Sequence, residues 1–267
     1  MRVNDLDVHV EVEGAGPSLL VLHGFTGSTR SWDGVRSGLA EHARLVLVDL
    51  IGHGQSAAPE DAKRYTFAWC VRDLVSVLNA LRLERVSVLG YSLGGRVALH
   101  LALAAPMRID SLLLESASPG IADDAERAQR QQADAALAAR IERHGIERFV
   151  AEWEAQPLLA PAPHVPASVR AARHEQRLHN RAVGLANSLR GMGAGRQASL
   201  WGQLATLRLP AHVLVGADDT RYCAIARRMQ SQIADATLTE IPGAGHTVHL
   251  DQPAAFVNWT REAVTRT

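Results

Sequence analysis

The sequence predicts an α/β fold, with a mostly parallel sheet flanked by helices and a helical cap inserted late in the chain. Three observations carry this. Short, wholly apolar runs such as Ser18–Leu22, Leu45–Val48, Val86–Leu89 and Ile109–Glu115 have the character of strands covered on both faces. Helical patterns alternate with them, and parallel neighbours need such crossovers. From about Ser118 to Leu204 the alternation stops and only helical segments follow. Residues 118–204 therefore read as the cap, and 1–117 with 205–267 as the core.

The elements follow in order. Residues 3–12 alternate at Val8, Val10 and Val12 and read as a strand or hairpin, closed by the turn Gly14-Ala-Gly16-Pro17. Ser18–Leu22 ends in His23-Gly-Phe25-Thr-Gly27. Trp32 to Leu39 has a helical pattern. Leu45–Val48 leads into Asp49-Leu-Ile-Gly52-His53-Gly54-Gln-Ser56, and a helix is expected from Phe67 to Leu81. Val86–Leu89 runs into Gly90-Tyr-Ser92-Leu-Gly94 and then an Ala/Leu-rich helix. In the cap, 122–153, 166–189 and 199–205 are helical, interrupted by Pro157, Pro161, Pro163 and Pro166. The core resumes with strand Ala211–Val215, helix Ile225–Ile233, strand Thr237–Ile241 and a closing helix over 252–264.

With 267 residues, 47% apolar and 21% charged, the chain can bury one large core. Lys+Arg and Asp+Glu balance at 28 each, which gives no electrostatic footprint for nucleic acid or a membrane surface. Cys70 and Cys223 stand in unrelated contexts and are expected to be buried thiols in a reducing compartment. No secretory leader or membrane-spanning run is seen, so a cytoplasmic location is expected. The expected partner is a small molecule, and the chain is expected to act as a monomer or small homo-oligomer.

The Gly-x-Ser-x-Gly stretch is the chemical centre. A strand-to-helix turn this tight leaves no room for a Cβ at either flank and lifts Ser92 Oγ clear of the sheet edge at a helix N-terminus. A serine hydroxyl is inert alone. An imidazole must take its proton, and a carboxylate must fix the imidazole's tautomer. Two later strands end in Gly216-Ala-Asp218-Asp219 and in Pro242-Gly-Ala-Gly245-His246, in the order acid then histidine. Asp219 and His246 are the expected partners, with Asp218 and His249 as their alternates. His23 and His53 more naturally shape loops. The N–H groups of Phe25 and Leu93 are the expected oxyanion donors. No His/Cys cluster points to a metal and no Gly-rich nucleotide loop appears, so no cofactor is expected.

These pieces resemble the α/β-hydrolase superfamily over nearly the whole chain: Leu22-His-Gly-Phe25, Asp49-x-x-Gly-His-Gly-x-Ser56, Gly90-Tyr-Ser-Leu-Gly-Gly95, Gly216-Ala-Asp-Asp219 and Gly245-His246. The resemblance implies that fold, with a sheet of about eight strands. More narrowly, the chain is similar to the 2-succinyl-6-hydroxy-2,4-cyclohexadiene-1-carboxylate synthases of menaquinone biosynthesis. That match rests on His23-Gly-Phe-Thr-Gly-Ser28 with Trp32, Arg96 after the elbow, Glu126-Arg-Ala-x-x-Arg130, Phe149-x-x-x-Trp153-x-x-x-Pro157-Leu, Gly184–Gly193, Gly195–Trp201 and His246-x-Val-His-Leu250.

What the resemblance implies is a lyase. Members eliminate pyruvate from 2-succinyl-5-enolpyruvyl-6-hydroxy-3-cyclohexene-1-carboxylate, with the triad serine as base and an enolate held in the oxyanion hole. The substrate bears three carboxylates, so cationic clamps are implied at Arg96, Arg130 and Arg177, with Tyr91 and Trp153 as further contacts. Arg190 is a further candidate, and Arg173 or Arg181 could take the place of Arg177. The composition agrees. Between Pro157 and Ala205 the only acid is Glu175, against Arg170, Arg173, Arg177, Arg181, Arg190 and Arg196. Arginine is also this chain's default cation, since Lys63 is its only lysine. A carboxylesterase or C–C bond hydrolase would use the same triad under a more apolar cap, and a non-catalytic small-molecule receptor could share the fold.

Overall fold

The structure is a computed structural model that describes residues 1–265. Of the strand or hairpin expected over residues 3–12, the start is a hairpin. Asn4 and Asp5 both adopt positive φ (47° and 62°), which closes a tight turn. The turn folds β1 (Arg2–Val3) back on β2 (Leu6–Asp7) as a separate two-stranded sheet. Only β3 (Val10–Glu13) joins the main sheet, which therefore has seven strands rather than about eight. The others are β4 (Ser18–Leu22), β5 (Arg44–Val48), β6 (Val86–Tyr91), β7 (Ile109–Glu115), β8 (Ala211–Gly216) and β9 (Ala236–Ile241). Their order is β3-β5-β4-β6-β7-β8-β9, parallel except for the antiparallel β3–β5 pair. Strand β6 is buried along its whole length at the centre of the sheet.

Helices cover both faces. They are α1 (Arg36–Ala40), α2 (Phe67–Ala80), α3 (Leu93–Ala104), α4 (Asp124–Glu154), α5 (Ala167–Leu178), α6 (Ala182–Met192), α7 (Thr220–Gln230), α8 (Val248–Asp251) and α9 (Pro253–Thr265). Three expectations shift. The predicted helix Trp32–Leu39 is split into a 3₁₀ turn, Thr29–Trp32, capped by Ser28, and the short α1. The predicted 166–189 helix is two, because His179 caps α5 and the Asn180 side chain turns to the Thr26 carbonyl. The predicted Ile225–Ile233 helix starts five residues earlier, at Thr220, because the Asp219 carboxylate accepts the Tyr222 N–H as an N-cap. Helix α4 is continuous with the prediction but breaks at Gly145 (φ 80°, ψ 176°).

The helical segment has its own apolar centre: Ala138, Ile141, Phe149 and Val150 of α4 pack against Leu185, Ala186 and Leu189 of α6. Phe25, from the loop after β4, packs against both this cluster and the main core, so the two layers meet at the carboxyl edge of the sheet. Both cysteines are buried and unbridged, and burial pushes the Cys70 thiol up to about 12. Among the described residues, no helix is long and apolar enough to cross a membrane.

Candidate active site

The elbow between β6 and α3 fixes the serine. Ser92 sits at φ 50°, ψ −104°, a conformation that non-glycine residues rarely hold. Two close approaches permit it. A Cβ on Gly90 would lie 2.5 Å from the Gly94 carbonyl carbon, and one on Gly94 would run into the Leu22 carbonyl oxygen. The turn is anchored by the Ser92 N–H, which donates to the Glu115 carbonyl at 2.9 Å.

Loops after β8 and β9 bring the partners. His246 Nε2 lies 3.2 Å from Ser92 Oγ, and His246 Nδ1 lies 2.8 Å from Asp219 Oδ2. Both Asp219 and His246 are buried. Asp219 is thus shared, one oxygen on the helix N-cap and the other on the imidazole. Asp218 is exposed and makes no side-chain contact with the histidine. The alternate base, His249, is occupied: Glu115 accepts its backbone N–H at 3.0 Å and holds its Nδ1 at 2.7 Å. The Tyr222 ring stands edge-on to His246 at 4.5 Å.

The Leu93 N–H opens α3 and so lacks an intrahelical acceptor. The Phe25 N–H, in the loop after β4, has no acceptor among the described residues. That loop is rigid. His23 is fully buried, its Nε2 accepting the Leu50 N–H at 3.0 Å and its Nδ1 2.7 Å from the Gly24 carbonyl. Burial holds the His23 imidazole down at about 4 and that of His53 at about 3. Asp49 binds the loops together, accepting the Thr29 N–H at 2.6 Å and the Gln55 N–H at 2.8 Å.

Two adjoining chambers lie between sheet and cap, with Phe25, Tyr91, Trp153 and Leu159 as shared walls. The serine chamber, about 140 Å³, is bordered by Ser92, Leu93, Arg96, Arg130, Tyr222 and His246. Its neighbour, about 340 Å³, is bordered by Thr26, Arg173, Gln176, Arg177, Thr247 and His249. Tyr91 reaches across the shared wall, its hydroxyl 2.8 Å from Thr247 Oγ1.

The arginines divide into two kinds. Arg96 donates to the Met192 carbonyl at 2.9 Å and lies 5.7 Å from the centre of the Phe67 ring, with no ion pair among the described residues. Arg173 donates to Thr247 Oγ1 at 3.3 Å and likewise has no carboxylate partner. Burial, reinforced by a neighbouring guanidinium in each case, pulls both cations down to about 10. Asp134 lies near enough to Arg96, and Asp251 and Glu154 to Arg173, to offset part of this, without an ion pair to either arginine. Arg130 and Arg177 border the chambers but are already paired, Arg130 with Asp134 at 2.7 Å and Arg177 with Glu154 at 2.8 Å. Arg181 turns away to the Ser56 carbonyl. Arg190 is clamped by Glu142 and borders a different groove. Among the described residues, no group of three or more His, Cys, Asp or Glu side chains is placed to hold a metal ion.

A family model for the alpha/beta hydrolase fold matches residues 17–253. A Bacillus subtilis (strain 168) relative, provisionally named as a 2-succinyl-6-hydroxy-2,4-cyclohexadiene-1-carboxylate synthase, is 38% identical over 255 residues, covering 96% of this chain and 93% of the relative. A Klebsiella pneumoniae protein carrying the same synthase name is 36% identical over 245 residues, 90% of this chain and 91% of its own. The structure of MenH from S. aureus superposes with a TM-score of 0.92 at 28% identity, covering 97% of this chain and 98% of that one. The chain belongs to the α/β-hydrolase fold family and, within it, to the 2-succinyl-6-hydroxy-2,4-cyclohexadiene-1-carboxylate synthases.

Proposed function

We propose that this protein eliminates pyruvate from 2-succinyl-5-enolpyruvyl-6-hydroxy-3-cyclohexene-1-carboxylate to form 2-succinyl-6-hydroxy-2,4-cyclohexadiene-1-carboxylate, a step of menaquinone biosynthesis. The observation that carries the reading is the pairing of a serine–histidine–aspartate chain with unpaired guanidinium groups at the same chambers. A simple ester needs the first and has no use for the second. A tri-acid needs both.

Ser92 Oγ, as its proton passes to His246 Nε2, removes the ring proton next to the succinyl ketone. Asp219 keeps Nδ1 protonated and steadies the imidazolium. The resulting enolate oxygen faces the Phe25 and Leu93 N–H groups, and one such donor typically lowers a barrier by about 3 kcal/mol. The electron pair then moves through the ring double bond and breaks the bond to the enolpyruvyl oxygen. His246 returns its proton to the departing group, which ends as pyruvate. The change is redox-neutral. Arg96 holds a carboxylate beside Ser92, and Arg173 holds one in the adjoining chamber. Arg130 and Arg177 are further contacts, with Tyr91 and Trp153 as walls.

The test is direct: pyruvate release from the synthase substrate, measured beside cleavage of p-nitrophenyl acetate by the same preparation. Rapid pyruvate release with slow ester cleavage is expected. Fast ester cleavage without pyruvate would replace the lyase with an esterase.

A further inference from the structure

The loop that presents His246 is braced from behind by one buried carboxylate. Asp251, the last residue of α8 and only 2% exposed, accepts the Gly245 N–H on Oδ2 at 2.9 Å. Its other oxygen, Oδ1, accepts the N–H of Ala162 at 2.9 Å, and its backbone carbonyl accepts His164 Nε2 at 2.6 Å. The first of these bonds holds the residue next to His246. The other two cross to the cap.

The cap residues concerned are not arbitrary. Ala162 and His164 lie in the proline-rich strap between Leu159, a wall of both chambers, and α5, which carries Arg173 and Arg177. One carboxylate therefore touches both the backbone that aims the imidazole and the strap that brings wall and cations over the substrate. Asp251 feels Arg173 only at a distance and forms no ion pair among the described residues, so its buried oxygens depend on these N–H donors. Lifting the strap would strip Oδ1 of the Ala162 N–H and leave Asp251 half-satisfied. That would loosen its hold on Gly245.

We propose that Asp251 is a positioning residue that ties the seating of the cap strap to the placement of His246, so that the Ser92–His246 contact is set when the strap is down. It touches neither substrate nor serine and acts through the Gly245 backbone. This rests on the assignment of Ser92 and His246 above and goes beyond it.

A plain loop brace would also explain the Gly245 bond, and variants on the cap side separate the two. Ala162→Pro removes the donor to Oδ1 and leaves the Ala162 carbonyl free to keep accepting the Val165 N–H. His164→Ala removes the second bond. Neither position borders either chamber, though both line an outer groove with Asp219 and His246. Two readouts apply: pyruvate release, and the rate at which a fluorophosphonate labels Ser92. In that labelling the Oγ–P bond forms, fluoride leaves and His246 takes the proton. Both cap variants and Asp251→Asn are expected to lower kcat and labelling about tenfold, with a smaller change in KM. The Ala162→Pro/Asp251→Asn double variant should fall no further than the worse single. Wild-type rates in both cap variants would overturn the tie, whether or not Asp251→Asn is slow. A wild-type protein that labels at Ser92 but releases no pyruvate would sink the lyase reading instead, and labelling would still report on Asp251.

Discussion

The sheet loops and the cap face each other across the same chambers but hold their polar groups in different ways. On the sheet side every functional side chain stands one to five residues beyond a strand end, and its partners are backbone groups or each other. Ser92 is fixed by its own φ, Asp219 by a helix cap, and His23 and Asp49 by main-chain N–H groups. The candidate recognition groups are long arginines on helices, Arg96 on α3 of the core and Arg130, Arg173 and Arg177 on the cap, and which of them is free depends on whether an acid of α4 lies within reach. Arg130 and Arg177 meet acids of α4, while Arg96 and Arg173 do not. On the proposed reading, chemistry rests on groups anchored by backbone geometry, and recognition on the charge left over after internal pairing. The comparison can be tested at each end.

The largest effect belongs to the sheet side. Ser92→Ala should lower kcat for pyruvate release by about 10³-fold or more, because removing one triad member disables the set. KM and folding should barely change. Single-turnover pyruvate release measures this. A loss under tenfold would mean that the base lies elsewhere.

The next test concerns how dry the sheet-side loops are. His23 is fully buried with its imidazole held down at about 4, against an ordinary value near 6.5. A histidine depressed in the folded state binds its proton more readily when unfolded, so stability is full above pH 6.5 and falls as the pH drops toward 4. The expected loss across that window from His23 alone is on the order of 3 kcal/mol. Urea midpoints for wild type and His23→Gln at pH 7 and pH 4.5 read it out, and the variant should show the shallower pH dependence. Equal slopes would mean that the loop admits water.

Among the arginines, Arg96→Ala on the core helix and Arg173→Ala on the cap should each raise KM with a kcat/KM loss of about 10- to 100-fold, the range for a charge-assisted contact. Arg177→Ala should cost less, because Glu154 already absorbs much of its charge. A larger loss for Arg177 than for Arg173 would reverse the division between free and paired cations.

The same contrast decides what could be read from the sequence. Strand ends, the elbow and the order of serine, acid and histidine are local signals, so the loops that meet at the sheet edge were visible as apolar runs followed by Gly, Asp and His. Helix pairing was not. Counting acids from Pro157 to Ala205 found only Glu175 and made the whole segment look cationic. Glu142 and Glu154, which bind Arg190 and Arg177, come from α4, outside that window. Their helix phase and the α4–α5–α6 packing are long-range facts. Glu115 was hidden for a related reason. It completes an apolar strand, and only its fold neighbour His249 shows what it holds. The hairpin reading of residues 3–12 was open from residue type, but alternation could not show that β1 and β2 would form their own sheet with only β3 joining the main one.

The smallest effect is the sharpest test of the cap. Glu154 holds Arg177 through Oε1 at 2.8 Å and His174 through Oε2 at 2.8 Å, and these hydrogen bonds, with the Arg177 charge, keep its carboxyl below the ordinary range despite burial. Glu154→Gln keeps an acceptor for the guanidinium while deleting the negative charge. If the chambers select their ligand by uncompensated positive charge, the change adds one unit to the wall, and KM for the tri-acid should fall about two- to fivefold with kcat unchanged. An exposed edge of the pair would screen part of this, so the gain should shrink as salt is raised. A higher KM would instead mean that Glu154 orients Arg177 for substrate, and the paired arginines would then belong with the sheet-side groups, fixed by partners rather than left open for the ligand.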